Sequence, residues 1–135
     1  MKKRYLPLVA AIAALSFVGV QSSTAQDSDT VITGLMNMPL SDIAGKDSNV
    51  VLFDVGPGWT IANHFHPGHI FIYMIEGSIK VEVEGQEPEI IRPGEVAYEM
   101  PNQNMVASNL SSTDGARFVV FTVGDIGDPV TVFVE

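Results

Sequence analysis

The chain's three histidines, His64, His66 and His69, lie within six consecutive residues. They sit in a stretch bounded by Gly58 and Gly77, which also carries Trp59, Phe65, the dipeptide Pro67-Gly68 and an apolar run from Phe71 to Ile75. His64 and His66 are two residues apart, so on a β-strand both side chains project from one face. Two neutral imidazoles at that spacing can hold one metal ion, and imidazole suits zinc, copper, iron and nickel. Pro67-Gly68 turns the chain, because proline presets φ and glycine accepts backbone conformations closed to other residues. His69, beyond that turn, can face either side.

Other chemistries are excluded. There is no cysteine, which removes thiol catalysis, thiolate metal sites and disulfides together. No local signature of a Ser-His-Asp nucleophile, a phosphate loop or a nucleotide fingerprint is present.

The elements that must position the histidines are short and apolar. The chain has 135 residues, enough for one domain with one core. Residues 1–25 have the form of a secretory signal peptide. A basic start at Lys2, Lys3 and Arg4 precedes an apolar centre from Leu6 to Val20, and Ser23-Thr24-Ala25 supplies small residues for cleavage. The run is short for a membrane span, so cleavage leaves no stable anchor and the protein is expected in the periplasm or outside the cell. Cleavage leaves four basic against 16 acidic side chains, a net charge of −12. Such a chain repels nucleic acid and anionic lipid. Its expected partners are small molecules or metal cations.

Residues 26–48 are expected to form a leader with a first strand or two over Thr30 to Leu40, broken at Gly34, and then a loop from Ser41. The domain proper is expected over 49–135. Strands are predicted for Val50–Val55, Trp59–His66, Phe71–Glu76, Ile79–Glu84, Glu89–Arg92, Val96–Met100, Met105–Ser108, Arg117–Val123 and Val130–Val134, with Gly77-Ser78 as a tight hairpin turn. Alternation is clean where Val81 and Val83 face in and Glu82 and Glu84 face out. Many short strands separated by Gly/Pro turns argue an all-β sandwich or barrel. Phe71–Ile75 and Phe118–Val123 are apolar on both parities, so their outer faces need a covering surface. A homodimer is expected on that ground.

From about Asn49 to Gly124 the sequence resembles the cupin superfamily of small β-barrels or jelly rolls. Gly58, His64, His66 and Gly77 match the first motif of that family, and Pro93, Gly94, Pro101 and Asn109 match the second. The resemblance implies a single-domain cupin barrel, often dimeric. It also implies a metal held by two His and a Glu from the first motif and a third His from the second. Here the Glu position falls on Ile70, or on Phe71 under looser spacing, and the second His position on Met105.

The candidate ligand set is therefore His64, His66, His69 and Met105. A thioether is a soft ligand that suits Cu(I), so copper is the favoured ion. Iron, manganese, zinc and nickel stay open, as does no metal at all. Met100 is a second available thioether. Trp59, Ile70, Ile72, Tyr98 and Met100 are candidate pocket residues; Tyr98 shares strand parity with Val96 and Met100, and its hydroxyl can bind substrate or act as an acid. Three functions compete. The first is an exported cupin that binds a metal ion or small ligand through His64 and His66. The second is a metal-dependent cupin enzyme of dioxygenase or isomerase type. The third is a structural or partner-binding cupin with a filled barrel.

Overall fold

The computed structural model describes residues 29–135. The expected signal peptide at 1–25 lies outside them. Ten strands run in order: β1 (Val31–Pro39), β2 (Lys46–Val55), β3 (Thr60–Phe65), β4 (His69–Glu76), β5 (Ile79–Val83), β6 (Glu89–Ile91), β7 (Val96–Glu99), β8 (Met105–Asn109), β9 (Ala116–Asp125) and β10 (Val132–Phe133). No helix occurs among the described residues, and none there is long and apolar enough to cross a membrane. The all-β expectation holds.

Two five-stranded sheets face each other, one in the order β1-β2-β9-β4-β7 and the other β10-β3-β8-β5-β6. Every pairing is antiparallel. The core fills the space between the sheets, with Ile70, Met74, Ile79, Ile91 and Met105 the most deeply buried. Burying side chains of that size contributes roughly 1.5–3 kcal/mol each. Phe118 binds the layers together: its ring stacks on Phe53 at 5.0 Å and meets Trp59 at 6.0 Å.

Three local expectations change. Gly77-Ser78 is not a hairpin turn. β4 and β5 lie in different sheets, and the glycine, at φ 71°, carries the chain around the corner between them. A Cβ there would lie 2.8 Å from the Gly115 carbonyl oxygen, so glycine is required twice over, by conformation and by space. β2 begins at Lys46 rather than Val50, because Lys46 to Asn49 pair with Asp125 back to Thr122. A polar segment that looks like loop is held as strand by its long-range partner. β1 runs through Gly34 as one strand, with a register shift between Gly34 and Met36.

Along β4, Ile70, Ile72 and Met74 are buried while Phe71, Tyr73 and Ile75 are exposed. The outward set continues across the sheet through Val96, Tyr98 and Phe121.

Candidate active site in the barrel cavity

A cavity of about 340 Å³ opens between the sheets. Its wall is mostly apolar, with Val51, Trp59, Ile61, Ile70, Ile72 and Phe118 among its residues. His64, His66 and Glu99 form its ionisable end, and Thr131 adds a hydroxyl.

The histidines reach this wall through an irregularity in β3. Thr60 and Ile61 pair with Ser108 and Ala107, but the next pair is His64 with Met105. One extra residue on β3 makes a β-bulge that re-aims the side chains after it. Ile61 and His64, three apart, therefore both line the cavity, and His66 lines it with them.

Each imidazole is fixed from behind. His64 Nδ1 lies 2.7 Å from the Ala62 carbonyl oxygen, and His66 Nδ1 2.7 Å from that of Val130. A carbonyl only accepts, so Nδ1 carries the proton in both rings and donates it. Nε2 is left as a lone pair available to the cavity. The rings meet edge to face with centroids 4.9 Å apart. Burial pushes both histidines below their ordinary pKa; the backbone hydrogen bonds oppose that shift, and in His66 the neighbouring His64 adds to it.

Glu99, 7 % exposed, stands on β7 directly across from Ile70 on β4. Its Oε2 lies 3.4 Å from His66 Nε2. Burial, reinforced by the charge of Glu89, raises its pKa from 4.5 to about 7. The contact has the length of an ion pair, but burial disfavours the charged form of each partner, and below about pH 7 the carboxyl stands neutral beside the imidazole.

Glu99 was not among the residues singled out from sequence, because the apolar content of β7 points to the wrong parity. Ala97 and Glu99 face in, whereas Tyr98 (46 % exposed) and Met100 (52 % exposed) do not. Tyr98 and Met100 are therefore corrected from cavity wall to the outside, where they border a separate depression of about 120 Å³. Apolar content favoured Val96, Tyr98 and Met100 as the inward set, but the exposed outer face of the β4–β7–β9 sheet takes that content instead. His69 also moves: it is exposed, its Nδ1 is 2.6 Å from the Tyr98 hydroxyl, and the two rings stack at 5.9 Å. It stands apart from His64 and His66 because, as the first residue of β4, it shares the outward parity of Phe71 and Tyr73. Trp59, Ile70 and Ile72 line the cavity. Met105, 2 % exposed, pairs in register with His64 but is not part of the cavity wall.

Asn109 has a structural role. Its side-chain amide donates to the carbonyls of Gly56 and Asp114 at 3.0 and 2.8 Å, and its side-chain oxygen accepts from the Ser111 backbone at 3.0 Å.

The sequence profile of the Cupin domain family matches residues 51–122, more than half of the chain. The chain belongs to the cupin family. No curated protein matches it. A conserved protein from Klebsiella pneumoniae with a double-stranded β-helix domain superposes on this cupin with a TM-score of 0.62 at 20% identity, covering 81% of this chain and 87% of that one. DMSP lyase DddQ from Ruegeria pomeroyi DSS-3 superposes with a TM-score of 0.65 at 16% identity, over 89% of this chain and 59% of that one. A chain from the structures of the DMSP lyases RdDddP and RnDddQII gives 0.57 at 19% identity, over 65% and 44%. This cupin spans less than two thirds of either lyase's length, and at these identities the likeness is one of fold.

Membership raises the question of the family's metal. The cavity offers two imidazole nitrogens and the Glu99 carboxyl beside His66, while Ile70 stands where the resemblance implies a carboxylate and Met105 lies off the wall. Among the described residues no three His, Cys, Asp or Glu side chains are grouped to hold an ion. A catalytic metal centre needs three protein ligands with an open position, and this donor set does not fit one.

Proposed function

We propose that this cupin is an exported binding protein whose barrel holds one small, neutral, mostly apolar organic molecule, with His64 and His66 addressing its polar group. The observation that carries the reading is the cavity itself. Its volume of about 340 Å³ falls in the range of small-molecule sites, and such sites combine an apolar wall with a few convergent polar groups. The depressed imidazoles and the raised carboxyl favour an uncharged ligand, because a charged one would enter a space that already disfavours charge. Export is supported by the signal-peptide pattern of residues 1–25, and sequencing of the processed protein should begin near Gln26.

The working form proposed is a homodimer. Phe71, Tyr73, Ile75, Val96, Tyr98 and Phe121 give β4, β7 and β9 a contiguous exposed apolar face, and faces of that kind are covered in stable assemblies.

Trp59 is the chain's single tryptophan and lines the cavity, so its emission reports occupancy directly. Titration with small neutral organic compounds should shift or quench it saturably. Ala107→Leu, which fills space from the cavity wall, should abolish the response while the fold persists. A response that survives Ala107→Leu unchanged would place the ligand elsewhere and end this reading.

A further inference from the structure

Register sets the polar and apolar ends of the cavity apart. One inward row of the β1-β2-β9-β4-β7 sheet carries Glu99, Ile70, Thr122 and Asn49, paired in turn across β7, β4, β9 and β2. Ile32 belongs to another inward row, opposite Phe53 and, through it, Phe118. Asn49 and Phe53 are four residues apart on β2, so the two rows are separated by about 13 Å. Between them the sheet offers Val51, Val120 and Ile72 to the cavity. His64, His66 and Glu99 are buried, whereas Ile32 lines the cavity and is still 60 % exposed. Ile32 therefore stands at the mouth, and the polar groups stand at the closed end.

The shortness of β10 places that mouth. β1 and β10 are end strands of their sheets, and Ile32 and Val130 line the cavity from the two sides of the gap between them. β10 pairs with Phe65 and His64, and the Val134 amide adds a bond to the Asn63 carbonyl. The gap is thus covered beside the histidines and open beside Ile61 and Ile32.

We propose that the barrel takes an unbranched alkyl chain of about eight to ten carbons with a hydroxyl head, which enters head first, donates to His64 Nε2 and leaves its tail at Ile32. The proposal rests on the reading of the cavity as a small-molecule site and names the class of molecule. Its length follows from the row spacing, since an extended chain of tetrahedral carbons advances roughly 1.3 Å per carbon and ten of them span about 13 Å. Its head follows from His64. Nδ1 donates to the Ala62 carbonyl, so Nε2 only accepts and the head must donate. A carboxylate or an ether brings lone pairs to a lone pair and leaves buried acceptors unpaired. A compact ligand held at the histidines leaves Val51, Val120 and Ile72 facing water, and an alkyl chain covers them.

The test is titration of Trp59 emission with 1-hexanol, 1-octanol and 1-decanol at pH 8. Each added methylene should tighten binding roughly fourfold, so decanol should bind on the order of 200-fold more tightly than hexanol. Decanoate, and 1-methoxynonane with as many heavy atoms as decanol but no donor, should each bind at least about tenfold more weakly than decanol. Ile32→Asp, on an edge strand, should weaken decanol by about fourfold or more and leave hexanol unchanged; far-ultraviolet circular dichroism checks its folding. Affinity that stops rising at hexanol overturns the extended path, as does an Ile32→Asp variant that weakens both alcohols equally. Decanoate or the ether binding as tightly as decanol overturns the hydroxyl head. Cyclohexanol that shifts Trp59 emission where no linear alcohol does overturns this proposal and leaves the cavity reading standing. Silence from all of these compounds overturns it and counts against the cavity reading too.

Discussion

Glu99→Gln should change how stability depends on pH, not merely how large it is. In the folded protein the Glu99 carboxyl stays neutral up to about pH 7. In the unfolded chain it ionises at the ordinary 4.5. Below 4.5 both states hold the proton and the group adds no pH dependence. From 4.5 to 7 the unfolded state gains stability by ionising while the folded state cannot, so folding weakens as pH rises. Above 7 the penalty is constant. A difference of this size, at about 1.4 kcal/mol per tenfold, is about 3 kcal/mol. Solvent does not discount it, since the side chain is buried. Gln keeps the shape and cannot ionise. Urea unfolding of both proteins at pH 4.5 and pH 8 isolates the term, because the other acids cancel in the comparison. Relative to native, Glu99→Gln should gain about 3 kcal/mol between the two pH values, a midpoint shift on the order of 1–3 M urea. An offset that is equal at both pH values would mean that Glu99 is ionised in the folded state, and the neutral imidazole–carboxyl description would fail.

Asn109→Ala should cost about 2–3 kcal/mol in chemical denaturation, since it strips hydrogen bonds from the Gly56 and Asp114 carbonyls and the Ser111 amide in one step; a loss under about 0.5 kcal/mol would show that water replaces the amide. Gly77→Ala should destabilise by about 1–3 kcal/mol or more, from its positive φ and the backbone that its Cβ would meet, whereas Gly85→Ala, with a similar φ but open space, should cost less. Phe71→Glu, between Tyr98 and Phe121 at the centre of the exposed apolar face, should give a monomer mass in light scattering at micromolar concentration, and native protein already monomeric there would remove the proposed dimer.

The fold was legible because its signals are local and repeated. Alternation along Val81 to Glu84, the breaks at Pro93-Gly94 and Pro101, and the spacing of Gly58, His64 and His66 all reflect what neighbouring residues do to one another. Glu99 was hidden for the opposite reason. The inward parity of β7 is set by its partner β4, where Ile70 faces in and meets Glu99 across the ladder. Nothing within Val96 to Met100 reports that pairing. The one sequence signal was an absence, the apolar Ile70 where the resemblance implies a carboxylate. The corner at Gly77-Ser78 is equally silent, since a glycine turn suits a hairpin and a passage between sheets equally well. His69 and His66 differ by three positions and a turn, and only the register of β4 on β9, with His69 opposite Val123, separates their fates.

The short segment after β9 links access to reactivity. Val130 lines the cavity and holds His66 Nδ1 with its carbonyl, while β10 beyond it is held to β3 by two register pairs, Val132 with Phe65 and Phe133 with His64, and by a hydrogen bond from the Val134 amide to the Asn63 carbonyl. Strands so short open far more often than a sheet's centre. Opening there would take the Val130 carbonyl away from His66 Nδ1. Access to the cavity and the tautomer of His66 therefore depend on the same short segment.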